Sequence, residues 1–400
     1  MSESIVYFNE LDISLPGGPN VNEYEFVRAL DRHFGARLSG LIPIPREPLH
    51  GFDSTPIEFY RQPRIGLSLW YWLYSAAVAW RLRRMRLRSR APLIVARMGH
   101  MPVTLWVAST LLREPIALKS VGSYWLARPN ASPRDRLWHW VSRKLCKSVV
   151  RRCCMVDAVT PQLAARLVEQ TGRTSGIHVV PNATALDRFR PLQGPRHFGS
   201  LDLDRARPVL GYVGTHPSTR GARQLVELAA RLAPRWPNLV VVVAGWDVDL
   251  SAVEELARAM GVAERCHFLG VIPYEQVPAF IHLLDVGFSM DDPIRASILG
   301  NSSQKVRQYL ACGCPVISMP VGGEFLETNA LGRVADPGDP DAILGATEDL
   351  LHELERDRDG ITARIRSYAE SHLSIEKTLQ QRIAIWSAAV EPQPLEHPDS

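Results

Sequence analysis

Short apolar runs separated by helical stretches recur along this chain, and that alternation constrains its fold more than any other feature. Residues 4–8, 37–42, 92–96, 115–118, 155–159 and 177–180 read as strands. Between them, 21–34 places Val21, Tyr24, Val27 and Leu30 near one face, and about 134–152 repeats Leu137, Val141, Leu145 and Val149 every fourth position, the period of a helix. Residues 43–64 are rich in Pro and charge and read as loop. The polar, Gly/Pro-containing stretch 193–207 reads as a linker. The pattern then restarts, with strands at 208–213, 239–244, 266–269, 286–289 and 315–319 and helices at 221–233 and 251–260, the latter opening on a Ser cap. Strands alternating with helices form parallel sheets covered on both faces. Four hundred residues, 46% apolar and 22% charged, are enough for two such units.

The net charge of +4 is unevenly spread. Residues 59–156 hold 19 Lys/Arg against only Glu114 and Asp135, a net +17, which leaves −13 for the rest. Such asymmetry predicts a surface that faces something anionic. Residues 65–80 carry no formal charge and run straight into the Arg-rich stretch 81–90. Sixteen residues are short for a bilayer span, which takes about 20. The N-terminus lacks the basic and apolar regions of a secretory leader. The six cysteines show no zinc-type spacing, and reduced thiols in a cytosolic protein are expected.

In open parallel sheets, ligands bind beyond the carboxyl ends of the strands. Three loops of the second half fall there. Gly214, Thr215 and Arg220 lie between a strand end and a helix start, where unpaired N–H groups and a guanidinium suit phosphate. Asn301, Ser302 and Ser303 are N-cap types, and Lys305 and Gln308 share a face of the helix that follows. Gly322 and Gly323 allow main-chain N–H groups to meet an anion.

Taken in order, these blocks resemble the retaining glycosyltransferases of family 4, which have the GT-B fold. The segment 180–191, with Pro181, Asn182, Phe189 and Pro191, resembles the family's link between domains. Val213-Gly214…Arg220-Gly221 resembles its Val-Gly…Lys-Gly loop. The block from Lys305 and Gln308 through Gly313 to Ile317 resembles its Glu-Tyr-Leu-Ala-Cys-Gly-x-Pro-Val-Val block, and 332–342 resembles its Gly-x-Leu-Val-x-Pro-Gly-Asp-Pro-Glu-Ala segment. The resemblance covers about 180–355 well and the first half mainly in layout, through Pro16-Gly17-Gly18 and 155–167.

The resemblance implies an α/β protein of two Rossmann-like domains whose parallel sheets face each other across a cleft. An acceptor-binding domain would span 1–195 and a nucleotide-sugar-binding domain 205–375. A helix packing back towards the first domain, and a tail, would span 376–400. It implies a metal-independent hexosyltransferase without cofactor, using a UDP- or GDP-sugar as co-substrate. Arg220 and Lys305 would stabilise the leaving diphosphate and count as catalytic. Gly17, Gly18, Gly214, Thr215, Asn301, Ser302, Ser303, Gln308, Gly322 and Gly323 would join them in gripping the donor. Gln308 replaces the glutamate that holds the ribose hydroxyls. Gly300 replaces a sugar-binding glutamate, for which Asp291 or Asp292 could compensate. Where the family's first domain often has a His near 121, residues 119–125 have none. Lys119, Tyr124 and His100, the last in the loop after 92–96, are the acceptor-side candidates.

Two other readings share the architecture. A nucleotide-sugar 2-epimerase needs acid/base carboxylates and His in the cleft. A binding protein without turnover fits the altered Thr215, Gly300 and Gln308. Seven of ten tryptophans lie between Trp70 and Trp140, and Trp beside Arg suits a membrane interface. The expectation is a cytoplasmic protein, peripheral at the anionic inner face of the cell membrane. Its acceptor would be a glycan or lipid-linked molecule of cell-envelope or polysaccharide synthesis. The competing reading of 65–90 is a buried helix followed by a solvated basic face. No nucleic-acid motif is present, and no nucleic-acid partner is expected.

Overall fold

The computed structural model describes residues 4–15, 17–49, 52, 55–62, 68–120, 132–291 and 293–390. The chain forms two compact units, one of Met1–Ser14, Phe26–Pro181 and Thr378–Ser400, the other of Leu15–Glu25 and Asn182–Lys377.

In the first unit, among the described residues, seven strands form one sheet. They are β1 (Ile5–Phe8), β2 (Leu38–Pro43), β3 (Ile57–Tyr60), β4 (Ile94–Arg97), β5 (Ile116–Ser120), β6 (Met155–Ala158) and β7 (Ile177–Val179). All pairings are parallel, and the order is β3-β2-β1-β4-β5-β6-β7. β3 corrects the loop expected over 43–64. It is an edge strand with Glu58 and Phe59 exposed, so its sequence lacks the apolar run that marks buried strands. Capping residues set the helices: Ser68 accepts the Tyr71 N–H, and Thr160 accepts the Leu163 N–H ahead of Pro161. In the C-terminal helix, Arg382 makes a buried ion pair with Asp157 of β6.

The helix Leu69–Arg88 joins the apolar run and the Arg run into one element. It buries Tyr71, Ser75, Val78, Ala79, Leu82 and Met85 and leaves Leu69, Trp70, Leu73 and Trp80 exposed. Among the described residues no helix is long and apolar enough to cross a membrane. The Arg run is not uniformly solvated either. Arg83 and Arg86 turn inward to the buried Glu114, and Arg81 pairs with Glu58.

In the second unit, the stretch expected as linker contains a two-stranded antiparallel ribbon, β8 (His197–Phe198) and β9 (Leu201–Asp202). Buried Arg196 anchors it by donating to the carbonyls of Ala206 and Leu283. Six further strands, β10 (Val209–Val213), β11 (Val240–Ala244), β12 (Cys266–Phe268), β13 (Val286–Ser289), β14 (Val316–Ser318) and β15 (Gly332–Val334), form a parallel sheet in the order β12-β11-β10-β13-β14-β15. Helix Leu250–Ala259 follows Asp249, so Ser251 lies inside it rather than capping it.

In both sheets the sequence order of the strands reverses in the middle, at β1/β4 and at β10/β13, and such switch points open a crevice at the carboxyl ends. β10 pairs with β13 only at Leu210↔Val286 and Gly211↔Gly287 before the strands part. The Val213 N–H is thereby left without a strand partner on that side. It donates to the Tyr309 hydroxyl at 2.9 Å. Tyr309 sits on the helix Gln304–Ala311, and its ring lies where a Cβ on Gly287 would come within 2.7 Å of it. A Tyr309→Phe substitution removes the acceptor of the Val213 N–H. It is expected to cost about 1–3 kcal/mol, the penalty of an unsatisfied buried donor. Denaturant unfolding monitored by circular dichroism checks this, and an unchanged midpoint would refute the role of the hydroxyl.

Candidate functional site

The crevice between β10 and β13 gathers most of the residues expected to bind a donor. Tyr212, fully buried near the end of β10, organises them. Its hydroxyl donates to the Thr215 carbonyl at 2.7 Å. Its ring lies under the Lys305 ammonium, 3.7 Å from the ring centroid, a cation–π contact that holds the charge in place. Gly214 follows at φ +141°, and a Cβ there would meet Lys305 at 3.1–3.3 Å, so glycine is required for the lysine to reach this position. Gly17 lies beside the Thr215 methyl. Gly18 is exposed, with no atom close to the place its Cβ would occupy.

Arg220 reaches the same crevice from the far end of the same loop. Its carbonyl accepts the Met290 N–H at 3.2 Å, which ties the loop to the end of β13. Its guanidinium then meets Asp291 at 3.4 Å. Both side chains are about one-quarter exposed, so the pair is open to a competing anion. Asp292 lies outside the described residues.

Two helices aim their N-termini here. Ala222–Leu232 starts after Gly221 and Gln304–Ala311 after Ser303, both without a side-chain cap. Their first N–H groups are therefore not taken up by capping side chains. Asn301 serves the approach to the second helix instead: its Oδ1 accepts the Ser303 N–H at 3.4 Å, and its Nδ2 donates to Ser318 Oγ at 3.2 Å. The Ser302 carbonyl accepts from Asn182. Arg307, which sequence reading passes over, secures the whole turn. It is buried and donates to the carbonyls of Asn182 (2.9 Å), Ser303 (2.9 Å) and Asn301 (3.1 Å). Burial brings its guanidinium down to about 10, still charged at neutral pH. Its i→i+4 spacing from Ser303 is the one signal in the sequence that could have found it.

Gln308 is buried, and its amide donates to the Tyr274 hydroxyl at 3.5 Å. Tyr274 also carries the Arg188 guanidinium over its ring at 5.0 Å, and Arg188 pairs with Glu25 at 3.3 Å. Gly322 packs against Asn301. The Gly323 N–H donates to the Pro320 carbonyl at 2.8 Å and is spent in that turn. Gly300 is buried and closes the preceding helix by donating to Ala296. Among the described residues, one His/Asp group has metal-ligand spacing, His197, Asp202 and Asp204, all exposed around the ribbon rather than in the crevice.

The first unit has its own crevice, between β1 and β4, with a cavity of about 80 Å³. Glu10, two residues beyond β1, accepts the Gly99 N–H at 3.0 Å. Tyr60, Tyr71, Tyr74, Gln62 and His100 share the lining. Burial raises the Glu10 carboxyl to about 8, slightly opposed by the Gly99 hydrogen bond. His100 is thus placed in a cavity, whereas Lys119 is not: it is buried in β5 with its ammonium 4.1 Å from the Phe26 ring centroid. Tyr124 lies outside the described residues. Glu10 went unnoticed in the sequence, although an acid directly after a strand at a sheet reversal is a legible signal.

Residues 207–353 match the family described as Glycosyl transferases group 1. The chain is 28% identical over 241 residues to 2-deoxystreptamine N-acetyl-D-glucosaminyltransferase of Streptomyces fradiae, covering 58% of this chain and 55% of that one. It is 28% identical over 226 residues to the GDP-mannose-dependent alpha-(1-6)-phosphatidylinositol monomannoside mannosyltransferase of Mycolicibacterium smegmatis, covering 54% and 58%. The chain thus spans a little over half the length of these curated relatives. A solved structure of Anabaena HepE in complex with UDP and glucose superposes with a TM-score of 0.69 at 15% identity, covering 96% of this chain and 100% of that one, which shows the fold.

The Arg220–Asp291 pair makes a prediction with a sign. Arg220→Ala is expected to weaken binding of inorganic pyrophosphate, whose oxygens a guanidinium suits. Asp291→Asn frees the guanidinium and is expected to tighten it by about 2–5-fold at low salt, the worth of a part-exposed ion pair. Calorimetric titration of both variants checks this; equal weakening in both would mean that Asp291 positions Arg220 instead.

Proposed function

We propose that this chain, whose residues 207–353 form a glycosyl transferases group 1 domain, moves a sugar with retention from a UDP- or GDP-sugar to a glycan or lipid-linked acceptor. The observation that carries the proposal is the convergence of Lys305, Arg220 and two uncapped helix N-termini on the β10/β13 crevice inside the matched region. UDP in the HepE structure and GDP-mannose in the name of the mycobacterial relative support a nucleoside diphosphate as the group held there.

The chemistry follows from where charge develops. As the glycosidic bond to the diphosphate breaks, negative charge builds on the leaving oxygen. Lys305 and the helix N–H groups, fixed beforehand by Tyr212 and Arg307, stabilise that charge without reorganising. Arg220 exchanges Asp291 for a phosphate oxygen. Gln308 offers its amide oxygen to the ribose, since its nitrogen is held by Tyr274. In front-face transfer the leaving oxygen takes the proton of the acceptor hydroxyl, so no protein nucleophile is needed, and Lys305 and Arg220 supply the positive charge that a metal would otherwise bring.

The exposed Leu69, Trp70, Leu73 and Trp80, with Leu137 and Trp140 of the helix Pro133–Arg152, support attachment to an anionic membrane from the cytoplasmic side in cell-envelope or polysaccharide synthesis. Flotation with liposomes tests this part. Binding is expected with anionic lipid and not with neutral lipid, and equal binding to both would remove the electrostatic contribution.

For the transfer itself, the purified chain is incubated with UDP-, GDP- and ADP-sugars and membrane lipid extract. Nucleotide release with a glycosylated product is expected. Lys305→Ala should lower kcat by about 10²–10³, matching the loss of one oxyanion donor, about 2.7–4 kcal/mol. An epimerised donor, or nucleotide binding without turnover under every acceptor, would overturn the proposal.

A further inference from the structure

The cavity at the β1/β4 crevice differs in chemistry from the cationic site of the other unit. Glu10 enters it from the end of β1 and is held by the Gly99 N–H. Tyr60 and Tyr71 have already given their hydroxyl protons to the carbonyls of Asn9 (3.1 Å) and Met101 (2.8 Å). Gln62 gives an amide proton to the Glu10 carbonyl at 2.6 Å. Tyr60 and Tyr71 therefore offer the cavity oxygen lone pairs and ring faces rather than donors. Among the described residues no Lys or Arg lines it. The titratable groups around Glu10 are Tyr60 on β3, Tyr71 and Tyr74 on the helix Leu69–Arg88, His100 after β4, and Cys146 on the helix Pro133–Arg152. Gln62 and His100 are exposed, which makes the cavity accessible from solvent.

A lining that holds one carboxyl among tyrosine rings, lacks Lys and Arg, and whose hydroxyls on Tyr74, Ser75 and Thr104 can accept as well as donate fits a group that carries donors only and a positive charge. An ammonium meets both demands: it has three donors and no acceptor, and ring faces attract it. Eighty cubic ångströms accommodates several water-sized groups, enough for an ammonium and part of the ring that bears it. The position is the place in the strand order where parallel sheets bind ligands.

We propose that this cavity recognises a protonated amine on the acceptor, with Glu10 as its charged hydrogen-bond partner and the tyrosine rings as its walls. The acceptor's role rests on the sugar-transfer reading above; the recognition of the amine does not.

A pH dependence follows. Burial holds the Glu10 carboxyl protonated up to about pH 8, so an arriving ammonium displaces a proton. Affinity for an amine that stays charged rises with pH by up to about tenfold per unit until the carboxyl ionises unaided near 8, and then levels.

The test is a ligand-observed NMR titration of the full chain with trans-4-aminocyclohexanol and with its neutral analogue cyclohexane-1,4-diol, at pH 6, 7 and 8. Alkylamines of the lysine type titrate near about 10.4, so the amine probe stays charged throughout. At pH 8 the amine is expected to bind about tenfold or more tightly than the diol, the range of a hydrogen bond to a charged group. Glu10→Gln should abolish both the preference and the pH slope. Gly99→Ala, whose Cβ would collide with the Glu10 carboxylate, should weaken amine binding while the acid remains. UDP affinity measured on the same samples is expected at the wild-type level and reports folding. Equal affinities for amine and diol, or a slope that persists in Glu10→Gln, would overturn the inference. Transfer to neutral acceptors with the same kcat/KM as to their amino analogues would also overturn it and leave sugar transfer standing. Amine binding that depends on Glu10, with no nucleotide sugar turned over by any acceptor, would support the subsite and remove the transfer reading.

Discussion

The hydrogen bond from the Val213 N–H to the Tyr309 hydroxyl sets the architecture of the second unit's site. A parallel sheet can open a ligand crevice only where two neighbouring strands part, and parting leaves main-chain donors without partners. Here the donor exposed by the separation of β10 from β13 is met by a helix that enters the gap. Gly287 makes room for the ring, and the same helix brings Lys305 over Tyr212 one turn earlier. The bond that repairs the sheet therefore also places the cation of the site. At the other end of the strand, Asp285 does the corresponding work, accepting the Val209 N–H at 2.7 Å while paired with Arg358.

Basic residues divide by burial into two kinds of work. Arg307, Arg196 and Arg382 are almost inaccessible and are spent on carbonyls or a carboxylate of the fold. Arg83 and Arg86 neutralise Glu114, which would be costly to bury alone. Arg220 and Lys305 remain part-exposed at a crevice, Arg220 beside Asp291 and Lys305 over the Tyr212 ring. In a chain with 46 Lys and Arg, charge count alone says little about anion binding; the partners of each cation decide. The crevice of the first unit runs the other way, with a carboxyl among tyrosines and no described cation on its lining. Two crevices built on the same strand order thus carry opposite polarity, because the order fixes where a crevice forms and the loop residues fix its chemistry.

Local periodicity and punctuation were enough to locate almost every central strand, several of the helices between them, and the two loops that supply Gly214, Arg220 and Lys305, but not the helices Pro161–Thr171, Val277–His282 and Pro340–His372. The features located are legible because apolar runs, glycines and cap residues act within a few positions of one another. β3 and the ribbon β8–β9 were not legible, since exposed strands need no apolar run. The sequence by itself therefore determined the parallel α/β class and the strand ends where ligands can bind. Only the tertiary structure decided that Arg307 is a main-chain clamp and Arg220 a part-exposed ion-pair partner. It also decided that Lys119 is buried while Glu10 faces a cavity. Those outcomes depend on desolvation and on partners far away in the chain, from Asn182 to Arg307 or Glu10 to Gly99, and no local pattern encodes them.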